Sequence, residues 1–181
     1  MKRFIALVLV LMALPCGVVR AGGIGVGVFG GRSYPVLQQD AGNGTLVGVR
    51  APVHIVPFAA LEPYYASTSL SDKVTSVAGV DYRRQGFDEK VYGVNAMFAA
   101  GGPLSFYPLV GVGKTSLTRA GFDRSFTSYN VGFGLGISPV PKLSVDLRAE
   151  LQAVVDGQTT RKFGNATAGV SYSLFGLPGL P

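Results

Sequence analysis

Five charged residues stand among small and apolar neighbours: Arg50, Glu62, Asp146, Arg148 and Glu150. Asp146, Arg148 and Glu150 alternate with Leu147, Ala149 and Leu151, so on an extended chain the three share one face. Two guanidiniums facing three carboxylates can form an enclosed ion-pair network, because a buried charge left uncompensated is costly. Such a network works either as a gate or ion path, or more plainly as a polar plug that holds a fold in shape. Catalysis finds less material. General-base and nucleophilic chemistry need a base within hydrogen-bond reach of the reacting group, and His54, the single histidine, lies between Pro52 and Pro57 in a predicted turn. Asp156 falls at a loop and Glu150 inside an alternating run, so they do not make an acid/base pair. One histidine and one cysteine, Cys16, supply no metal cluster. The glycines of residues 22–31 lead into no helix, which excludes a nucleotide-cradling loop, and no cofactor is expected.

The elements that must position these residues are strands. In 129–137, Tyr129, Val131, Phe133, Leu135 and Ile137 alternate with Asn130, Gly132, Gly134 and Gly136. Period-2 alternation marks a strand with two unlike faces, and each glycine would cost a helix about 1 kcal/mol against alanine. Pro139 and Pro141 break the run, and a second alternating run follows from Leu143 to Val154. Leu143, Leu147, Leu151 and Val154 also fit a helical stripe; the glycine-rich partner and the short turn favour a hairpin. Further alternating runs fall at 22–29, 45–51, 58–69, 91–100, 104–115 and 163–175. The facing of 104–115 is ambiguous. The connections between runs are alternately long and short: 52–57, 101–103 and 138–142 are short turns, while 30–44, 70–90, 117–124 and 156–162 are polar loops, with 74–82 able to extend a hairpin.

Residues 1–21 have the form of a secretory signal: a charged start at Lys2 and Arg3, an apolar run from Phe4 to Leu14, and small-residue spacing at Val19 and Ala21. Cleavage after Ala21 leaves a mature domain of residues 22–181 without cysteine, so its stability comes from burial or from a bilayer. The apolar run is too short for a membrane helix, which takes about 20 residues, so insertion would use strands. Part of the net charge of +6 leaves with Lys2, Arg3 and Arg20, and no basic stripe with interleaved aromatics suggests nucleic acid. Charged residues make up only 14% of the chain, against about 25% in soluble domains.

Eight alternating runs, short turns at one end, long connections at the other, and the ending Val170-Ser171-Tyr172-Ser173-Leu174-Phe175 resemble the small OmpA- and OmpX-type outer-membrane barrels. The resemblance implies an all-β, eight-stranded, antiparallel, up-and-down transmembrane β-barrel, exported to the outer membrane of a diderm bacterium. It also implies that Val170, Tyr172 and Phe175 are read by the barrel-assembly machinery. With apolar residues toward lipid, Arg50, Glu62, Asp146, Arg148 and Glu150 would face a lumen just wide enough to be filled by side chains. Arg83, Arg84, Arg119, Arg124, Arg161 and Lys162 would fall in outer loops, either as ordinary solvated charge or as contacts to lipopolysaccharide phosphates. The expected activity is non-enzymatic, as surface structure or as contact with a surface partner. Two other functions are open: a lipid A-modifying outer-membrane enzyme, and a soluble lipocalin-like ligand carrier with reversed faces.

Overall fold

In a computed structural model the described residues are 23–36, 41–56, 58–98, 104–140, 142–157 and 159–176. The expected signal segment 1–21 and the expected turn 101–103 lie outside them. None of the described residues is helical. The strands are β1 (Gly23–Val36), β2 (Gly44–Arg50), β3 (Val53–Val56), β4 (Ala59–Leu70), β5 (Lys73–Val77), β6 (Val80–Arg84), β7 (Asp88–Phe98), β8 (Leu104–Arg119), β9 (Phe122–Val140), β10 (Leu143–Asp156) and β11 (Thr159–Gly176). Antiparallel pairing runs from β1 through β2, β4, β7, β8, β9 and β10 to β11, and β11 pairs back with β1. The sheet is therefore a closed, eight-stranded, up-and-down barrel. The Leu143–Asp156 run is strand throughout, its outward leucines on one face of the wall.

Besides the expected loop 30–44, of which β1 takes the part as far as Val36, three connections differ from the sequence expectation. Val53–Val56 is not turn: β3 lies between β1 and β4, as β2 does, and continues the same wall strand after a break. Pro52 makes the break because it has no N–H to donate; its carbonyl accepts from Gly25 N at 2.8 Å and keeps the seam joined. The expected loops at 117–124 and 156–162 are mostly strand. β8 and β9 pair as far as Arg119↔Phe122, and β10 and β11 as far as Asp156↔Thr159. Polar residues continue the ladder there because strands that leave the hydrocarbon keep pairing in water, where their outward faces no longer need to be apolar. The fourth feature, β5–β6, forms a separate two-stranded sheet that projects from the same end and closes at Ala78-Gly79, both with positive φ, as a type I′ turn requires.

The wall has the facing of a membrane barrel. Leu147 is 59% exposed on the outside, whereas its neighbour Asp146 is 5% exposed inside. Val131, Phe133, Leu135 and Ile137 stand outward with it. Tyr34, Tyr65, Tyr92 and Tyr129 face outward toward the hairpin end, and Phe58, Phe98, Phe106 and Tyr172 toward the short-turn end. Aromatic girdles at both interfaces are the mark of a transmembrane barrel.

Candidate functional site

The lumen is built from alternate residues of the wall strands. Arg50 ends β2, Glu62 sits on β4, and Asp146 and Arg148 occupy successive inward positions of β10. The guanidinium of Arg148 donates to both oxygens of Glu62, Nη1 to Oε1 at 2.6 Å and Nη2 to Oε2 at 2.8 Å. Its Nε donates to Asp146 Oδ1 at 3.0 Å. Arg50 grips the same Asp146 with both terminal nitrogens, Nη1 donating to Oδ1 at 3.1 Å and Nη2 donating to Oδ2. Arg50 Nε stands 3.8 Å from Glu62 Oε2, which completes a ring of alternating charge. Two cations and two anions balance. All four residues are buried, and the paired geometry repays the desolvation that each ion would otherwise cost.

Glycines make room for this ring. A Cβ on Gly169 would lie 2.3 Å from Arg50 Nη2, so the guanidinium rests directly on the β11 backbone. A Cβ on Gly134 would lie 2.4 Å from the Tyr107 ring, whose hydroxyl accepts from Arg148 Nε at 2.9 Å. The alternation of glycine with large residues in β9 thus serves both faces, bulk toward lipid and bare backbone under the ring.

Glu150 does not join the ring. It stands one inward position further toward the hairpins and accepts from Asn130 Nδ2 at 3.0 Å. Asn130 also donates to Asn95 Oδ1 at 2.8 Å, and Asn95 donates to Glu62 Oε1 at 3.3 Å. Above these, Gln152 donates to Glu89 Oε1 at 2.7 Å and accepts from Asn165 Nδ2 at 3.1 Å. Apolar layers lie at the two ends: Ala60, Met97, Tyr107 and Leu109 near the short turns, and Leu70, Phe87, Leu117, Val154 and Phe163 near the hairpins. Between them remains a cavity of about 30 Å³ lined in part by Glu62, Asn95, Glu150 and Asn165, room for a water or two. Among the described residues, no group of three or more His, Cys, Asp or Glu side chains is arranged to hold a metal.

The hairpin-end cations are differently placed. Arg83 pairs with Asp72, Nη2 donating to Oδ2 at 2.7 Å. The Asp72 carboxyl is held below the usual carboxylate range, first by the Gly86 N–H and then by Arg83. Arg124 lies over the Phe122 ring at 5.6 Å and Arg161 over Phe87 at 5.6 Å. All six expected loop cations lie on strands instead: Arg83 and Arg84 on β6, Arg119 on β8, Arg124 on β9, and Arg161 and Lys162 on β11; Arg84, Arg119 and Lys162 are exposed, Lys162 on the outer face of β11. His54 sits on β3, paired with Gly23 and Ala60 at the end opposite the hairpins.

Sequence reasoning passed over Tyr107, Glu89, Asn95, Gln152 and Asn165. Tyr107 belongs to the run of ambiguous facing, where buried Leu109 and lipid-facing Pro108 blur the alternation. Phase counted from the glycine-lined partner strand would have found it, since Tyr107 pairs with Gly134.

No family model matches the chain, and neither does any curated protein. Solved structures do. Neisserial surface protein A matches with a TM-score of 0.63 at 13% identity, covering 84% of this chain and 97% of that one. Ail, the attachment invasion locus protein of Yersinia pestis, was solved with the heparin analogue sucrose octasulfate; it matches at 0.52 with 22% identity, over 85% and 99%. The N-terminal barrel domain of Pseudomonas aeruginosa OprF matches at 0.54 with 15% identity, over 84% and 99%. With its closed ring of eight strands, lipid-facing apolar wall and ion-paired lumen, this chain has the fold of the small transmembrane β-barrels of outer membranes.

Proposed function

We propose that the chain is a non-enzymatic outer-membrane protein whose lumen is a structural plug and whose work is done by its projecting hairpins, as surface structure or partner contact. The observation that carries this reading is the filled lumen. A charge-balanced ring fills the lumen between two apolar layers, and the cavity beside it holds about 30 Å³, too little for a solute path. Arg50, Glu62, Asp146 and Arg148 are then groups that fix strand positions, with Glu150 in the amide layer above them.

The hairpins supply what the lumen lacks. β5–β6 stands clear of the barrel and exposes Val74, Val80, Tyr82, Arg83 and Arg84. Apolar side chains on a projecting hairpin are a contact surface for a partner. Arg84 and Arg119, with Arg83, Arg124, Arg161 and Lys162 near them, offer charge-assisted bonds to lipopolysaccharide phosphates, and the β11 end offers a strand to the barrel-assembly machinery. A lipid A-modifying enzyme would need a base at the hairpin end, whereas His54 is at the other. A lipocalin-like carrier would need the opposite facing of the wall.

Fractionation tests the placement: the protein should enter the outer-membrane fraction and run faster on a gel before boiling than after. Trypsin added to intact cells should cut after Arg83 or Arg84. A soluble product, or cleavage only after the membrane is permeabilised, would refute the reading. Steady single-channel conductance in a planar bilayer would refute the plug.

A further inference from the structure

The outer wall is not uniform. Between β9, β10, β11 and the outer end of β1 it carries an open groove of about 490 Å³ whose lining includes Tyr34, Phe133, Ala149, Leu151, Gly164 and Ala166. Small outward residues make the depression: Ala149, Gly164 and Ala166 stand where the β7–β8 wall presents Tyr92, Val94, Val110 and Val112. The register sets its depth. Ala149 pairs with Ala166 and Tyr34 with Gly164, so the small residues adjoin across β10 and β11 and Tyr34 of β1 rises at the hairpin-side end.

Lys162 stands over that end. It lies two residues from Gly164 on the same outward face of β11, is exposed, and has no salt bridge among the described residues. Arg32 flanks the groove beside Ala166, its Nη1 donating to Thr45 Oγ1 at 3.2 Å. The groove therefore has an apolar floor in the hairpin-side half of the wall, with Lys162 beyond its hairpin-side end and Arg32 along its β1 flank. An acyl chain with an anionic headgroup has the complementary distribution. Two other outward cations, Lys90 and Lys114, stand at the same end of the wall, where the surface below them is filled by Tyr92 and Val112.

We propose that this groove is a specific lipid site. It takes one acyl chain of a phosphorylated glycolipid of the outer leaflet, of lipid A type, with a phosphate held by Lys162 and Arg32. The proposal rests on the outer-membrane placement above. It differs from lipopolysaccharide contact at the hairpin arginines because it predicts a saturable site on the wall.

The test uses the refolded mature barrel in nanodiscs of phosphatidylcholine doped with diphosphorylated lipid A or, in parallel, with phosphatidylglycerol; retained lipid is counted by native mass spectrometry. The wild type should retain about one lipid A per barrel and little phosphatidylglycerol. Ala166→Trp, which fills the groove from the lipid side, and Lys162→Glu should each cut retention at least fivefold, while Lys114→Ala should leave it unchanged. All variants should keep the boiling-dependent gel shift, which shows them folded. Retention unchanged in Ala166→Trp, equal retention of phosphatidylglycerol, or a dimer that Ala166→Trp dissociates would each overturn the site. A folded barrel in the outer-membrane fraction without selective retention defeats this site alone; a soluble wild type defeats the placement.

Discussion

In the lower lumen Arg50, Glu62, Asp146 and Arg148 close a ring of opposite charges, whereas one layer toward the hairpins Asn130 and Gln152 serve Glu150 and Glu89 with amide donors, and Asn95 links the two layers by donating to Glu62. Among the described residues neither Glu150 nor Glu89 forms a salt bridge. The ring is held by ionic bonds whose members fail together, since each arginine contacts both carboxylates. The amide layer is held by separate neutral donors. Removal of one group from the ring leaves uncompensated charge in a closed interior, while an acid-to-amide exchange in the upper layer keeps the shape and most of the bonding.

The largest effect should come from Arg148→Ala, which strips Glu62 of its bidentate partner and leaves two carboxylates to share Arg50; a loss of about 3–5 kcal/mol is expected for a broken buried pair, read by urea unfolding in detergent micelles. Next, Arg50→Met alone should cost about 3 kcal/mol, yet Arg50→Met with Asp146→Leu should cost less than either single change, because the remaining Arg148–Glu62 pair is balanced. If the double variant is as unstable as the sum of the singles, the ring is not acting as one unit. Gly134→Val drives a side chain into Tyr107 and should cost about 1–3 kcal/mol as overpacking, with the Tyr107 near-UV dichroism altered. In the upper layer Glu150→Gln should cost about 1 kcal/mol or less; a loss as large as that of Arg148→Ala would erase the distinction between the layers.

The smallest effect lies outside the membrane. Asp72 has a depressed folded pKa, so its contribution is present above the unfolded carboxylate value and is lost as pH falls through the folded one. The protection of the Gly86 N–H, taken against its intrinsic exchange rate, should therefore fall in acid while that of β9 and β10 stays high. An equal fall in both would mean that acid loosens the barrel and not just the β5–β6 base.

The faces of the strands were legible because apolar residues at one parity fix the other parity inward: once Leu147 and Leu151 face lipid, Asp146, Arg148 and Glu150 can only face the lumen. Which of them meet was not legible. The strands are tilted and staggered, and the first and last pair as Arg32↔Ala166, so height in the lumen depends on registers summed around the ring. That stagger sets Asp146 and Arg148 with Arg50 and Glu62, and lifts Glu150 to the level of Asn130. Glu89 was hidden for another reason. It lies where β7 emerges from the hydrocarbon, and without apolar alternation its strand resembles a charged connection. The strand ends at 117–119, 122–124 and 159–162 were read as loops for the same reason.

The seam between β1 and β11 has a consequence for the order in which the molecule is made. Its two edges are the first and last strands among the described residues, joined from Gly23↔Gly176 to Val36↔Lys162. No cylinder exists during synthesis until the eighteen residues of β11 have emerged, and every shorter product carries two raw edges ready to pair with a stranger. Such a chain must be kept waiting rather than allowed to fold as it grows, and the final closure, joining the most distant contacts in sequence, is the slow step.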